Sequence, residues 1–459
     1  MDLDADRVEM KDYLGVLRNP RAARPFAAAV VARLPVSMAP LGLVLLVRGL
    51  RDDWTLAGIV AGAFAVGVAV GSPFWGRGLD RYGQPRVIAA TSCASAAFLL
   101  ALTLATAGPV PGPALVVLAA LVGGTFPPVS PAMRAAWRVV LPDVRQQRLG
   151  YALDAVAVET LFVGGPLLLT LLLAVTSPLV PMLATCAFLA GGGLLYARTE
   201  AARSLGPGAV PPPTPEPGPA GDAAAAPGPP ATAPPVPAPV PAPRGRGRPT
   251  RPREAPVALT AGVPAALLVL AAMSVGFGLL DVSLAGLAEV VLGSPDKLGF
   301  MFAAIAGGSA LGGLLYGARQ WRSEERVRLP VILGGFGSGT AVLAVVAWRP
   351  DPSMLVLVPV LFCAGLFISP NLIVLQSLVD HLAPRHRLGE AQAWLSTSVT
   401  AGGAVGNALA GRLIDTTGPQ LSLAVAAAAV LLGAALALLA QPRWRTLLRP
   451  APGAAVRLS

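Results

Sequence analysis

Arg33, Glu159 and Asp281 stand inside long apolar stretches, where an ionised side chain has no water to solvate it. Groups of this kind are costly at bilayer depth, so they pair with one another or face a polar cavity. Arg33 and Glu159 carry opposite charges, which suits either a structural pair that fixes helix packing or a pair that binds and releases a proton. Asp281 either faces such a cavity or lies close enough to the outer surface to be solvated. Asp154, Gln376 and Asp380 fall near the ends of their stretches and read as interfacial. His381 and His386 share a loop, so neither is placed as a proton relay. Reversible proton binding within these stretches falls to Glu159, Asp154 or Asp281. The chain shows no phosphate-binding loop, no metal-ligand spacing and no nucleophile triad, so an enzyme is not expected, nor a cofactor or metal. Cys93, Cys186 and Cys363 lie in apolar stretches and read as small packing residues.

Helices that cross a bilayer must position these groups. Hydrophobic residues make up 54% of the 459 and charged residues 13%, with a mean hydropathy of +0.66. A soluble domain cannot hide that much apolar surface, whereas a bilayer can. At ~20 apolar residues per crossing, spans are expected at 26–48, 55–75, 87–108, 113–134, 149–174 and 178–197. A second set is expected at 262–290, 298–318, 329–348, 353–377, 389–413 and 420–440. The fold class is therefore an all-α integral membrane protein of twelve helices in two six-helix bundles. Its parts are a cytoplasmic N-terminus (1–25), a first bundle (26–198), a linker (199–256), a second bundle (257–441) and a cytoplasmic tail (442–459).

Of the 35 Arg and Lys residues, Arg33 lies within the first span, and only Arg48, Arg51, Lys297, Arg349 and Arg412 fall on one side. The other 29 lie on the side holding both termini, and a positive-inside bias that large puts the termini in the cytoplasm. The net charge of +11 is scattered over loops, which fits topology signals and anionic lipid head groups rather than nucleic acid. Trp54, Trp75, Trp321 and Trp348 sit near span ends, as interfacial belts do. From Gly206 to Pro243 the chain is mostly Pro, Ala and Gly and cannot form a core; an extended linker is expected. It ends in five arginines between Arg244 and Arg253, read as a topology anchor beside anionic lipid.

The chain repeats itself at an offset of 239 residues. Ser130-Pro131 returns as Ser369-Pro370, Arg148-Leu149-Gly150 as Arg387-Leu388-Gly389, Ala152 as Ala391 and Gly164 as Gly403, all without a gap. Two membrane halves related in this way describe a transporter with its substrate path between them.

One loop narrows the reading further. After the second span the chain reads Gly76-Arg-Gly-Leu-Asp80-Arg81-Tyr-Gly83-Gln-Pro-Arg86. This resembles the cytoplasmic loop signature of the major facilitator superfamily: Gly, three residues, Asp-Arg, one residue, Gly, then basic residues. The resemblance implies two bundles that rock about a midplane site, with Asp80, Arg81 and Arg86 latching the cytoplasmic side in one state. It also implies that spans 1, 4, 7 and 10 line the cavity, which adds Asn371 to Asp281 and Arg33 as substrate or coupling candidates. Spans 1 and 5 adjoin in that family, so Arg33 and Glu159, about 10 and 15 Å deep at ~1.5 Å per residue, are expected to pair. The second-half counterpart of the loop, Gly312 to Arg322, has no acidic residue, so latching is expected to be asymmetric.

Two further patterns match the family's proton-coupled exporters poorly. The arginine that they carry in span 4 is absent from Leu115–Gly124. Their span 5 Gly-Pro element is present as Gly164-Gly165-Pro166, but Leu161 stands where a glycine is usual. The expected protein is a plasma-membrane, multi-pass, monomeric secondary transporter of a small organic solute, a proton-coupled exporter first and an uptake carrier or uniporter second. A non-transporting sensor on the same scaffold is the other class, and neither a sensor insertion nor a catalytic domain is apparent to support it. Partners are then the solute, a proton or other coupling ion, and membrane lipids.

The latch reading is tested by Asp80→Asn. The variant should insert and fold as the parent does while cycling more slowly; unchanged transport of an identified substrate would remove the latch role.

Overall fold

Asn19 caps a long helix by accepting from the Arg21 amide at 3.0 Å, and Pro20 at its first position has no amide to satisfy. The helix, α1 (Pro20–Arg51), runs 32 residues through three internal prolines and opens a chain whose regular structure is helical throughout the described residues. The computed structural model describes residues 15–141, 143–206, 262–294, 297–319, 321, 323–384 and 388–448. The first half continues with α2 (Trp54–Tyr82), α3 (Gln84–Ala107), α4 (Gly112–Gly124), α5 (Val129–Val140), α6 (Val144–Val175), α7 (Leu179–Ala197) and the short α8 (Glu200–Ser204). The second half comprises α9 (Val263–Gly286, prolonged by a π-turn over Leu287–Val291), α10 (Lys297–Ala318), α11 (Glu325–Ala347), α12 (Met354–Gly365), α13 (Ile368–Leu382), α14 (Leu388–Thr417) and α15 (Pro419–Leu447).

Eleven stretches are long and apolar enough to cross a membrane. They match the expected spans save for 389–413, where α14 is 30 residues long but too rich in Ser, Thr and charge to meet the same measure. Most helices outrun their apolar cores; α15 reaches Leu447, beyond the expected boundary at 441. The segment expected to start the linker at 199 begins as α8 instead. Ala201, Ala202 and Leu205 are buried, and the Leu205 carbonyl accepts from the Gln84 amide at 3.0 Å. The rest of the linker reading, residues 207–256, falls outside the described residues.

The internal repeat has a physical form not expected from hydropathy. Spans 4 and 10 are both broken, between Gly124 and Val129 and between Gly365 and Ile368, each just before the repeated Ser-Pro. Pro127, Pro128 and Pro131 supply no amide in the first case, and Pro370 supplies none in the second, so the helical ladder is weakened at each break. The Trp75 indole donates to the freed Gly124 carbonyl at 2.7 Å. Trp75 is thus committed to this break, and Trp54 is buried, so neither serves as the belt residue expected; Trp321 and Trp348 are exposed.

Between lipid-solvated helices there is little hydrophobic gain on association, and close backbone approach supplies the dispersion energy instead. The α2–α4 crossing has this form within the first half. A Cβ on Gly67 would lie 2.2 Å from the Ala120 carbonyl oxygen, and one on Gly123 would lie 2.0 Å from that of Phe64. The α2–α14 crossing joins the two halves in the same way: a Cβ on Gly411 would meet the Trp54 carbonyl oxygen at 2.1 Å, and one on Gly58 that of Asn407 at 2.3 Å. A second contact between the halves pairs α6 with α10, where Gly299 receives the Thr170 side chain.

The two crossings should respond differently to bulk. Gly67→Val forces apart helices of one half and should lower thermal stability by roughly 1–3 kcal/mol. Gly411→Val should instead part the halves at one end, read as faster maleimide labelling of Thr55→Cys, with a smaller stability loss. Equal stability losses and unchanged labelling would refute this division.

Candidate functional site

A cavity of about 480 Å³ lies between the halves. Its walls come from α1 (Ser37, Val44), α2 (Phe64), α6 (Phe162, Pro166), α9 (Ser274 to Val282), α10 (Phe302 to Ser309), α13 (Ser369, Leu372) and α14 (Thr400, Asn407). Its size lies within the range of small-molecule sites. Ser274, Gly278 and Asp281 stand four and three residues apart on α9 and so share one helical face. Gly278 on that face packs against Gly403 and Asn407 of α14. Asp281 therefore lines the interior cavity and is not the surface-solvated group that the sequence also allowed. Among the described residues it forms no hydrogen bond or ion pair. Ser274 Oγ and Asn407 Oδ1 are buried and also without partners.

One end of the bundle is fastened across the halves. Arg48 near the end of α1 donates its Nε to Glu289 of the α9 extension at 2.9 Å, and also pairs with Asp52 on its own side. Asp415, near the end of α14, accepts from the amides of Trp54 at 3.2 Å and Thr55 at 2.6 Å. Those are the first amides of α2, so a carboxylate from one half caps a helix N-terminus of the other, favoured by the helix dipole as well as by the hydrogen bonds. Arg51 holds the same end of the first half, donating to the carbonyls of Thr106, Ala105, Gly108 and Val110. Sequence reading missed Arg48, Glu289 and Asp415 because charges at span ends look merely solvated. The signal available was that Glu289 falls inside the seventh apolar stretch.

At the opposite end lies the Gly76–Arg86 loop. Asp80, Arg81 and Arg86 are exposed, and Arg81 lies over the Tyr82 ring at 5.3 Å. Asp80 has no partner among the described residues. Gly76 has open space around it, whereas Gly83 adopts φ 81°, a left-handed value that favours glycine, and joins α2 to α3. The next residue, Gln84, was not singled out by sequence. It is buried, donates to the Ala132 carbonyl at 3.1 Å and accepts from Tyr196 Oη at 3.2 Å.

Arg33 pairs with Asp154, its Nη1 donating to Oδ1 at 2.6 Å, with side chains 2% and 9% exposed. The partner seen for Arg33 among the described residues is thus Asp154, and the expected contact with Glu159 falls on a side chain outside them. From the same starting points Asp154 lies ~8 Å deep, against ~10 Å for Arg33 and ~15 Å for Glu159, so Asp154 is the better match. Asp154 is buried rather than interfacial as expected. The Arg33 Nε and Nη2 find no acceptor among the described residues. Glu159 belongs to α6, and its side chain falls outside the described residues. Arg33 does not line the cavity, and neither does Asn371, which is fully buried with both amide atoms unpartnered. Ser369 and Leu372, three residues apart, face the cavity, so Asn371 is turned away from it. In the Gly164-Gly165-Pro166 element only two residues have a contact role. Gly165 is filled against by Ser37 Oγ of α1 and Pro166 lines the cavity, while Gly164 is open.

Breaking the buried pair should be costly. Asp154→Asn leaves the Arg33 charge uncompensated and should destabilise the protein by about 3–5 kcal/mol. The double variant Arg33→Leu/Asp154→Leu should recover much of that in a thermal unfolding assay; a single variant as stable as the parent would show that the pair is not structural.

The sequence profile of the Major Facilitator Superfamily matches residues 26–250 and 266–458. No curated protein sequence matches the chain. Among solved structures the fold is similar to the human organic anion transporter MFSD10 (TETRAN), at 16% identity and TM-score 0.56, covering 91% of this chain and 99% of that one. It is also similar to the peptide transporter POT in complex with sulfate, at 14% identity and TM-score 0.64, covering 97% and 100%. A third is a bacterial homologue of the human lysosomal transporter Spinster, at 14% identity and TM-score 0.62, covering 95% and 99%. With the broken repeat helices, the two halves and the cavity between them, the profile match along both halves establishes that this chain belongs to the Major Facilitator Superfamily of membrane transporters.

Proposed function

We propose that the chain is a secondary-active exporter that moves a small organic solute out of the cell in exchange for protons. In this reading α14 supplies the twelfth span, both termini are cytoplasmic, and bundles 26–198 and 257–441 rock about the cavity within the plasma membrane. The remainder of 199–256 tethers the bundles at the cytoplasmic face.

The observation that carries the reading is the opposite condition of the two ends. Across one end the halves are fastened by Arg48–Glu289 and by Asp415 on α2. At the other, Asp80 of the family's latch loop stands exposed and without a partner among the described residues. A cavity fastened at one end, beside a latch loop whose acidic residue is exposed at the other, fits one of the two states of alternating access. Asp281 supports proton coupling, since an unpaired carboxylate in that wall must gain a proton or a cation when the cavity is sealed from water. Pro166 on α6 brings the Gly-Pro element of exporters to the same wall.

Flux under an imposed pH gradient tests direction and coupling together. Inside-out vesicles, acidified within, should accumulate a compound from a screening panel, and a protonophore should abolish the accumulation. Accumulation confined to right-side-out vesicles would replace export by uptake. Accumulation that ignores the gradient would remove the proton.

A further inference from the structure

We infer that the cavity binds a lipophilic, singly charged organic cation, with Asp281 as its counter-charge and Asn407 as a hydrogen-bond acceptor beside it. This rests on the transporter reading above and names the substrate class of the same site. Three observations carry it.

The first is charge. Among the described residues of the cavity wall, Asp281 is the sole ionisable group, and no arginine or lysine faces it. Arg33, the nearest basic residue in sequence to the α1 wall, is committed to Asp154 and does not line the cavity. An anion entering would meet one negative charge and no positive one, in surroundings too apolar to screen the repulsion. Among the described groups of the wall, a monovalent cation balances Asp281, whereas a dication leaves one charge unmatched.

The second is the apolar surface. Phe64, Phe162, Phe277 and Phe302 bring four rings from four helices to the wall. Benzene faces carry the negative end of the ring quadrupole and attract cations in desolvated sites, so they favour a delocalised or bulky cation over a small hydrated ion. At about 480 Å³ the cavity is much larger than a metal ion or an ammonium ion would need.

The third is the set of orphaned polar atoms. Asn407 Oδ1 and Ser274 Oγ are buried without partners among the described residues; Ser274 belongs to the helical stripe that carries Asp281, and Asn407 packs against it. Asn407 Oδ1 would lie 3.0 Å from a Cβ on Gly278, one turn of α9 from Asp281. An acceptor so placed suits a ligand N–H, so a protonated amine can use it, whereas a fully substituted cation cannot. Buried polar atoms of native sites are ordinarily satisfied, and a bound amine would satisfy these.

Tetraphenylphosphonium and tetraphenylborate are near-identical in shape and opposite in charge, so they isolate the charge argument. Binding of each to the full-length protein in nanodiscs is measured by equilibrium dialysis, beside propranolol as a protonated amine. The phosphonium should bind saturably and the borate should not. Asp281→Asn should weaken phosphonium and propranolol at least tenfold, and Asp281→Glu should restore both to within about threefold. Asn407→Ala should weaken propranolol about tenfold and leave the phosphonium within about twofold. Thermal unfolding of each variant confirms a folded protein. Saturable borate binding, phosphonium binding unaltered by Asp281→Asn, or no saturable binding of either cation would overturn the cation site. Transport in proteoliposomes separates the two readings. Cations that bind but never cross would sink the transporter reading and keep the site. Transport of neutral or anionic compounds untouched by Asp281→Asn would do the reverse.

Discussion

Backbone touching backbone is the constraint on which this molecule depends. Helices in a bilayer gain little from hiding apolar side chains from each other, because the lipid is equally apolar. The α2–α4 and α2–α14 crossings instead bring glycine against carbonyl at distances that leave no room for a methyl group. One helix, α2, is thus committed on one side to its own half and on the other to the opposite half. The cavity begins where these small residues give way to Phe64 on the same helix, so the seam and the chamber are successive stretches of one surface.

The two contacts of α2 differ in what surrounds them. The inner one, through Gly67 and Gly123, belongs to a half whose core also holds the Arg33–Asp154 pair and the Gln84–Tyr196 bond. Such a half resists deformation, because a buried ion pair that loses a partner is strongly penalised. The outer contact ends in charges at the span ends, where water is at hand to take over their hydrogen bonds. Rigid halves joined by a separable seam follow from where the polar groups are placed along the helices.

Hydropathy made the helices legible because every crossing needs a long apolar stretch, and the Ser130-Pro131 and Ser369-Pro370 repeat marked the paired halves. It did not reveal that those pairs sit at breaks, since averaging over a window of side chains is blind to missing amides at Pro127 and Pro128. The pairing of Arg33 with Asp154 was missed for a related reason: Asp154, close to its span end, was read as interfacial, although its depth matches that of Arg33 more closely than the depth of Glu159 does. Asp281 was legible as an ionisable group at depth, yet its orientation was not, because only packing against Gly403 and Asn407 shows which face of α9 meets the cavity. Asn371 failed as a cavity residue through the same ambiguity of rotation. The fastening charges Arg48, Glu289 and Asp415 join segments hundreds of residues apart, so no local pattern could pair them.

The fastening has a built-in economy of consequence for how freely the molecule can change shape. Arg48 holds Glu289 across the seam while Asp52 holds it from its own side, and α2 keeps Asp53 on its Leu56 amide while Asp415 caps the two amides before it. The guanidinium and the helix end thus each keep an acceptor of their own half besides the visiting one. When the visitor departs, no guanidinium is left bare and no helix end is left wholly uncapped. The polar part of the seam at this end thus amounts to a few exposed or half-buried hydrogen bonds, each worth on the order of 1 kcal/mol. Polar terms that small are of the order of the binding energy that one small molecule in the chamber can supply.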